Sequence, residues 1–153
     1  MARFVYRMQN ILELKEKLEE QEKNNFAMRQ RQLNEEQEIL DGLIAHLNEL
    51  EEEGKKLRLN VIDVLKIKEN ERSVEYAEEE IKKQRVKLRV AEKNLEAARA
   101  RMQEAIQERK IHEKMREKAF ERFVAEMNAA EVKEIDELTS YVYGTKTADD
   151  EAD

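Results

Sequence analysis

The sequence predicts an all-α fold: a long antiparallel two-helix coiled-coil hairpin with a disordered acidic C-terminal tail. Three observations predict it. The composition suits long helices better than a globule, the first half carries a heptad seam, and the second half carries another seam that can fold back onto the first. Of 153 residues, 42% are charged and 5% aromatic, with three glycines and no proline, cysteine or tryptophan. An ordinary globular domain is about one quarter charged and contains several prolines. High charge with low hydropathy also marks disordered chains, and periodicity separates the two.

Leu40, Leu43, Leu47, Leu50, Gly54, Leu57, Val61 and Val64 recur at alternating spacings of three and four, the signature of a coiled-coil seam. Gly54 keeps the phase on both sides, so the helix is expected to run through it although glycine costs about 1 kcal/mol relative to alanine. After the polar run at residues 69–73, a second seam reads Val74, Ala77, Ile81, Gln84, Leu88, Ala91, Leu95, Ala98, Met102, Ala105.

A fold-back near residue 71 pairs positions whose numbers sum to about 142, matching large with small side chains: Val64 with Ala77, Val61 with Ile81, Gly54 with Leu88, Leu50 with Ala91, Leu47 with Leu95 and Leu43 with Ala98. The same pairing lays Lys87, Arg89 and Lys93, from a basic run at 82–101, alongside Glu49, Glu51, Glu52 and Glu53. Such flanking charges set register more than stability. The expected elements are helix 1 at about 3–68, a turn at about 69–73, helix 2 at about 74–143, and a disordered tail over 144–153 with Gly144 as the helix cap. A domain-swapped dimer would use identical contacts and differ only at residues 69–73, and side-by-side pairing of two rods stays open as well.

The arms are close to neutral: residues 1–68 hold 12 basic and 14 acidic side chains, and residues 69–143 hold 16 and 18, within a chain of net charge −7. Neither arm has the basic excess of a nucleic-acid or membrane footprint, so no nucleic acid and no direct membrane insertion are expected. No apolar run is long enough for a signal peptide or a membrane span, which predicts a cytoplasmic protein.

No catalytic, cofactor or metal site is expected, and no enzyme. His46 lies beside the seam and His112 in a charged run, without ligand spacing. Carboxylate runs such as Glu78-Glu79-Glu80 read as solvated helix faces, and three separated glycines make no phosphate loop. The termini are different: Phe4, Met8, Ile11, Phe120, Phe123, Val124, Met127, Ile135, Leu138 and neighbours provide more large apolar side chains than one seam needs, and exposed apolar surface marks interaction sites.

Phe4-Val5-Tyr6-Arg7-Met8-Gln9-Asn10-Ile11-Leu12-Glu13-Leu14-Lys15, the run Arg109 to Lys118, and Glu131-Val132-Lys133-Glu134-Ile135-Asp136-Glu137-Leu138 resemble, in order and in distance from each end, the flagellar type III export protein FliJ family. Val132 stands where the family pattern has glutamine before the lysine. The resemblance implies a soluble, non-enzymatic component of the bacterial flagellar export apparatus. It would act as a central-stalk-like partner of the hexameric export ATPase and contact the cytoplasmic domain of the export gate and the export chaperones, at the inner membrane of the flagellar base. By tip position and apolar character, Phe4, Met8, Ile11, Phe123, Met127, Ile135 and Leu138 become candidate ring contacts. A structural coiled-coil scaffold and the equivalent stalk of a virulence-type secretion system are the rival readings.

Overall fold

The computed structural model describes residues 2–59 and 61–151, and all but the side chain of Asp150 within them. Two helices run antiparallel, α1 (Gln9–Leu57) and α2 (Val64–Glu151), and there is no strand among the described residues. The all-α hairpin read from the two seams is therefore the fold. The chain divides into two compact units, Leu18–Ile106 on one hand and Met1–Lys17 with Gln107–Asp153 on the other.

In the unit Leu18–Ile106 the core is a thin seam. Leu40, Ala77, Ile81, Ala91, Leu95 and Ala98 are buried, and Leu43, Leu47, Leu50, Leu57, Leu88 and Met102 are half-buried. Two side-chain amides are buried in the seam. Asn70 donates from Nδ2 to the Leu50 carbonyl at 2.8 Å, and Gln84 donates from Nε2 to the Glu36 carbonyl at 3.0 Å and to the Glu36 carboxylate. Both are buried, so their hydrogen bonds offset a desolvation cost and penalise any shifted pairing.

These bonds correct the register. They join residues whose numbers sum to 120, and Arg99 stacks over Phe26, 5.9 Å from Cζ to the ring centroid, at a sum of 125. The expected sum of 142 is therefore wrong: the fold-back point moves by about three helical turns, and each residue's partner by about six. Lys87, Arg89 and Lys93 therefore lie across from the stretch near 27–38 and not from Glu49–Glu53, and none of the three forms an ion pair among the described residues.

The cause is a misplaced turn. The chain reverses over 58–63, and the expected turn at 69–73 is helical, with the Ser73 hydroxyl bonded to the Glu69 carbonyl. Both ends of the reversal are capped. Arg58 Nη1 donates to the Gly54 carbonyl at 3.1 Å and its Nη2 meets Glu71 at 3.3 Å, which satisfies a terminal carbonyl of α1. Asp63 Oδ1 accepts from the backbone N–H of Leu65 at 3.1 Å and of Lys66 at 3.4 Å, the usual N-cap arrangement. Val61 and Val64, expected in the seam, are exposed beside this turn. Their spacing from Leu57 continues the heptad only along the sequence.

Gly54 is the one glycine with a steric task. It is helical and buried, and a Cβ there would run into the side-chain amide of Asn70. The glycine admits Asn70 to the seam, and the turn follows one turn of helix later.

In the unit Met1–Lys17 with Gln107–Asp153, α1 begins at Gln9 and not near residue 3; residues 2–6 are irregular. Lys15 Nζ meets Glu108 Oε2 at 2.7 Å and Arg116 Nε donates to Gln9 Oε1 at 3.1 Å. The expected disordered tail is corrected as far as Glu151, because α2 continues through Gly144. Gly144 has no positive φ and so forms no left-handed cap. The hydroxyls of Thr139, Thr145 and Thr147 bond to the carbonyls of Ile135, Tyr141 and Tyr143, compatible with an unbroken helix. Ala152 and Asp153, the end of that tail, lie outside the described residues.

Candidate interaction surface at the chain termini

The candidate residues all fall in the unit Met1–Lys17 with Gln107–Asp153. Because residues 2–6 are not helical, Phe4 is free to lie across α2 rather than follow a heptad. Its ring meets Phe120 edge-on at 5.2 Å between centroids and 78°, and Phe123 at 5.5 Å and 51°; Phe120 and Phe123 are 6.5 Å apart. These separations and tilts suit the aromatic quadrupole. Arg116 lies over the Phe4 ring, 5.8 Å from its centroid, while its Nε is held by Gln9. Strand-like packing is not needed to hold the N-terminal segment: one aromatic cluster and one cation–π contact anchor it.

An open groove of about 550 Å³ runs beside the cluster, with Phe4, Tyr6, Met8, Met115 and Phe123 among its walls. Phe4 and Phe123 thus make direct contact, and Met8 shares their groove. Ile11 and Met8 are about 40% exposed, and Met127 is half-buried. Ile135 and Leu138 lie further along α2, where every described side chain from Asn128 onward is exposed. They form a stripe with Val132 and Val142 at helical spacing, and Ile135 and Leu138 are 62% and 60% exposed.

The candidate set is therefore two features: an aromatic cluster that closes the N-terminal segment on α2, and an uncovered apolar stripe. Phe120, Arg116 and Gln9 belong to the first and are not among the expected ring contacts, although Phe120 is part of the apolar surplus read from the sequence. Phe120 and Arg116 are a helical turn or two before Phe123, and that spacing was the available signal.

Electrostatics add one perturbed group. Lys15, by hydrogen bond and by charge, holds the Glu108 carboxyl below its ordinary range, with a smaller contribution from nearby His112. That pattern belongs to an ion pair joining the helices. Among the described residues there is no cluster of three His, Cys, Asp or Glu side chains that could hold a metal.

An antiparallel two-helix hairpin with a thin seam, and with many large apolar side chains exposed besides, is an architecture suited to working by contact. The chain belongs to the flagellar FliJ protein family, whose family model matches residues 4–148. It is accordingly a non-enzymatic component of the flagellar export apparatus. No curated protein and no solved structure matches the chain. No helix among the described residues is long and apolar enough to cross a membrane.

Proposed function

We propose that this chain acts as a central-stalk-like partner of the hexameric flagellar export ATPase, with the unit containing both termini as the part that enters the ring. The observation that carries the reading is the uncovered stripe of Val132, Ile135, Leu138 and Val142 on α2, next in sequence to the Phe4, Phe120 and Phe123 cluster. Contiguous apolar side chains on one helix face suit insertion into a protein groove or ring. The ring hydrolyses ATP; the stalk binds one ring conformation, or the assembled ring, more tightly than the alternatives, and shifts the population by that difference. Contacts with the cytoplasmic domain of the export gate and with export chaperones, and peripheral association at the inner membrane of the flagellar base, complete the reading.

The test is ATP turnover by the purified flagellar export ATPase with increasing amounts of this protein. Turnover rises with the wild-type chain, and Ile135→Asp with Leu138→Asp abolishes the rise while helicity by circular dichroism stays unchanged. Absence of both binding and stimulation by the wild-type chain would sink the stalk reading in favour of a coiled-coil scaffold.

A further inference from the structure

The reversal between the helices has a chemistry unlike the rest of the molecule. In a chain of net charge −7, residues 55–68 read Lys-Lys-Leu-Arg-Leu-Asn-Val-Ile-Asp-Val-Leu-Lys-Ile-Lys. Five cations stand against the single Asp63, and half of the segment is aliphatic. Near neutrality of each whole arm conceals this local excess.

The aliphatic side chains are not covered. Val61 is 96% exposed, Leu59 80%, and Ile62, Val64 and Leu65 are each at least 60% exposed. They are nearly consecutive, so they surround the turn and do not line one helix face. The carboxylate of Asp63 is turned back onto the backbone N–H groups of Leu65 and Lys66. Lys56, Lys66 and Lys68, which flank the turn along the chain, carry no ion pair among the described residues; Lys55 and Arg58 meet Glu52 and Glu71.

We propose that this turn docks on an anionic lipid bilayer, its aliphatic cap entering the headgroup region and its lysines meeting lipid phosphates. The shape favours a bilayer over an acidic protein groove. A groove takes a stripe at helical spacing, whereas these exposed aliphatic residues follow one another along the turn. Lysines set behind such a cap can keep their ammonium groups at the phosphates while their stems lie along the apolar region. The cap is too short to span, so the contact is interfacial. The proposal deepens the peripheral membrane association proposed above by assigning it to the turn, and stands apart from the ring contacts, which concern the other unit.

The experiment is flotation of the full-length protein with vesicles of phosphatidylcholine alone or mixed with phosphatidylglycerol. The protein floats with the mixed vesicles, and raised salt releases it. Val61→Ser with Ile62→Ser weakens binding at least about tenfold, and Lys66→Gln and Lys68→Gln weaken it roughly fivefold each. All four positions are exposed in the turn or on the surface of α2, so circular dichroism stays at the wild-type value. Because the chain has no tryptophan, Val61→Trp supplies a single indole that can be excited selectively over the tyrosines, and its emission shifts to the blue and is quenched by brominated lipid. No flotation with phosphatidylglycerol overturns the proposal. So does flotation that is insensitive to the turn substitutions, or a Val61→Trp emission that stays water-like. Crosslinking of residue 61 to an acidic protein in cells, without vesicle binding, overturns it in favour of a protein groove.

Discussion

The unit Leu18–Ile106 and the unit of the two termini solve helix pairing differently. The first uses small and polar residues that tolerate one arrangement: Gly54 opens the space that Asn70 fills, and Gln84 reaches the backbone of Glu36. The second uses Phe4, Phe120 and Phe123, which pack broadly, and leaves Ile135 and Leu138 uncovered. A buried amide in a coiled-coil seam specifies register at some cost in stability, while an aromatic cluster contributes area without specifying much. The register is written in the first unit, and the exposed apolar surface lies in the second.

The sharpest way to break this contrast is Gly54→Ala. Alanine would normally stabilise a helix by about 1 kcal/mol, but here its methyl group occupies the place of the Asn70 amide. The variant should lose about 1–3 kcal/mol, the usual cost of overpacking, read as a lower urea midpoint. Adding Asn70→Ala should recover most of the loss, because the obstruction goes with the amide. Gly42→Ala is the control: nothing lies within 4 Å of its would-be Cβ, so the ordinary gain of about 1 kcal/mol is expected. If both alanines stabilise alike, Gly54 has no part in the register.

That glycine also explains where sequence reasoning stopped. The fold class was legible because the seam from Leu40 to Leu57 and that from Val74 to Ala105 are long and regular. The turn was not, because Leu57, Val61 and Val64 keep the three-four spacing straight through the reversal. What decides the reversal is local and three-dimensional: Asp63 capping α2, Arg58 capping α1, and the fit of Asn70 against Gly54. An Asp followed by a helical run is a start signal in its own right, and it outweighed the heptad. At the termini, the surplus of apolar residues announced a surface, but the contact of Phe4 with Phe120 and Phe123 depends on a non-helical segment that periodicity cannot foresee.

A smaller effect is expected from Phe4→Ala, which sharpens the contrast from the other side. The ring is half-buried, so its removal should cost about 1–2 kcal/mol, less than a full core phenylalanine. The loss should be confined to its own unit. Amide exchange should quicken around Gln9 to Lys15 and Arg116 to Phe123, while amides near Leu40, Ile81 and Ala91 keep wild-type protection. Uniform acceleration would show that the two units open together.

The smallest effect concerns Glu108. Its carboxyl is held below the ordinary range by Lys15, first through the hydrogen bond and then through charge. For a carboxyl whose folded pKa lies below its unfolded one, the unfolded chain takes up protons first as pH falls. The stabilisation from the pair is therefore fully present above the unfolded carboxylate pKa and is lost as pH falls through the folded value. Both partners are partly exposed, so solvent and salt screening keep the contribution small. The measurement is an NMR titration of the Glu108 side chain. In the wild type its midpoint lies below that of an unpaired glutamate. In Lys15→Met, which keeps most of the side-chain stem and removes the ammonium group, the midpoint should return most of the way, leaving only the weaker influence of His112. A midpoint unchanged by Lys15→Met would mean that this ion pair does not join the helices in solution, and the terminal unit would then rest on its aromatic cluster and the Arg116 contacts with Gln9 and Phe4.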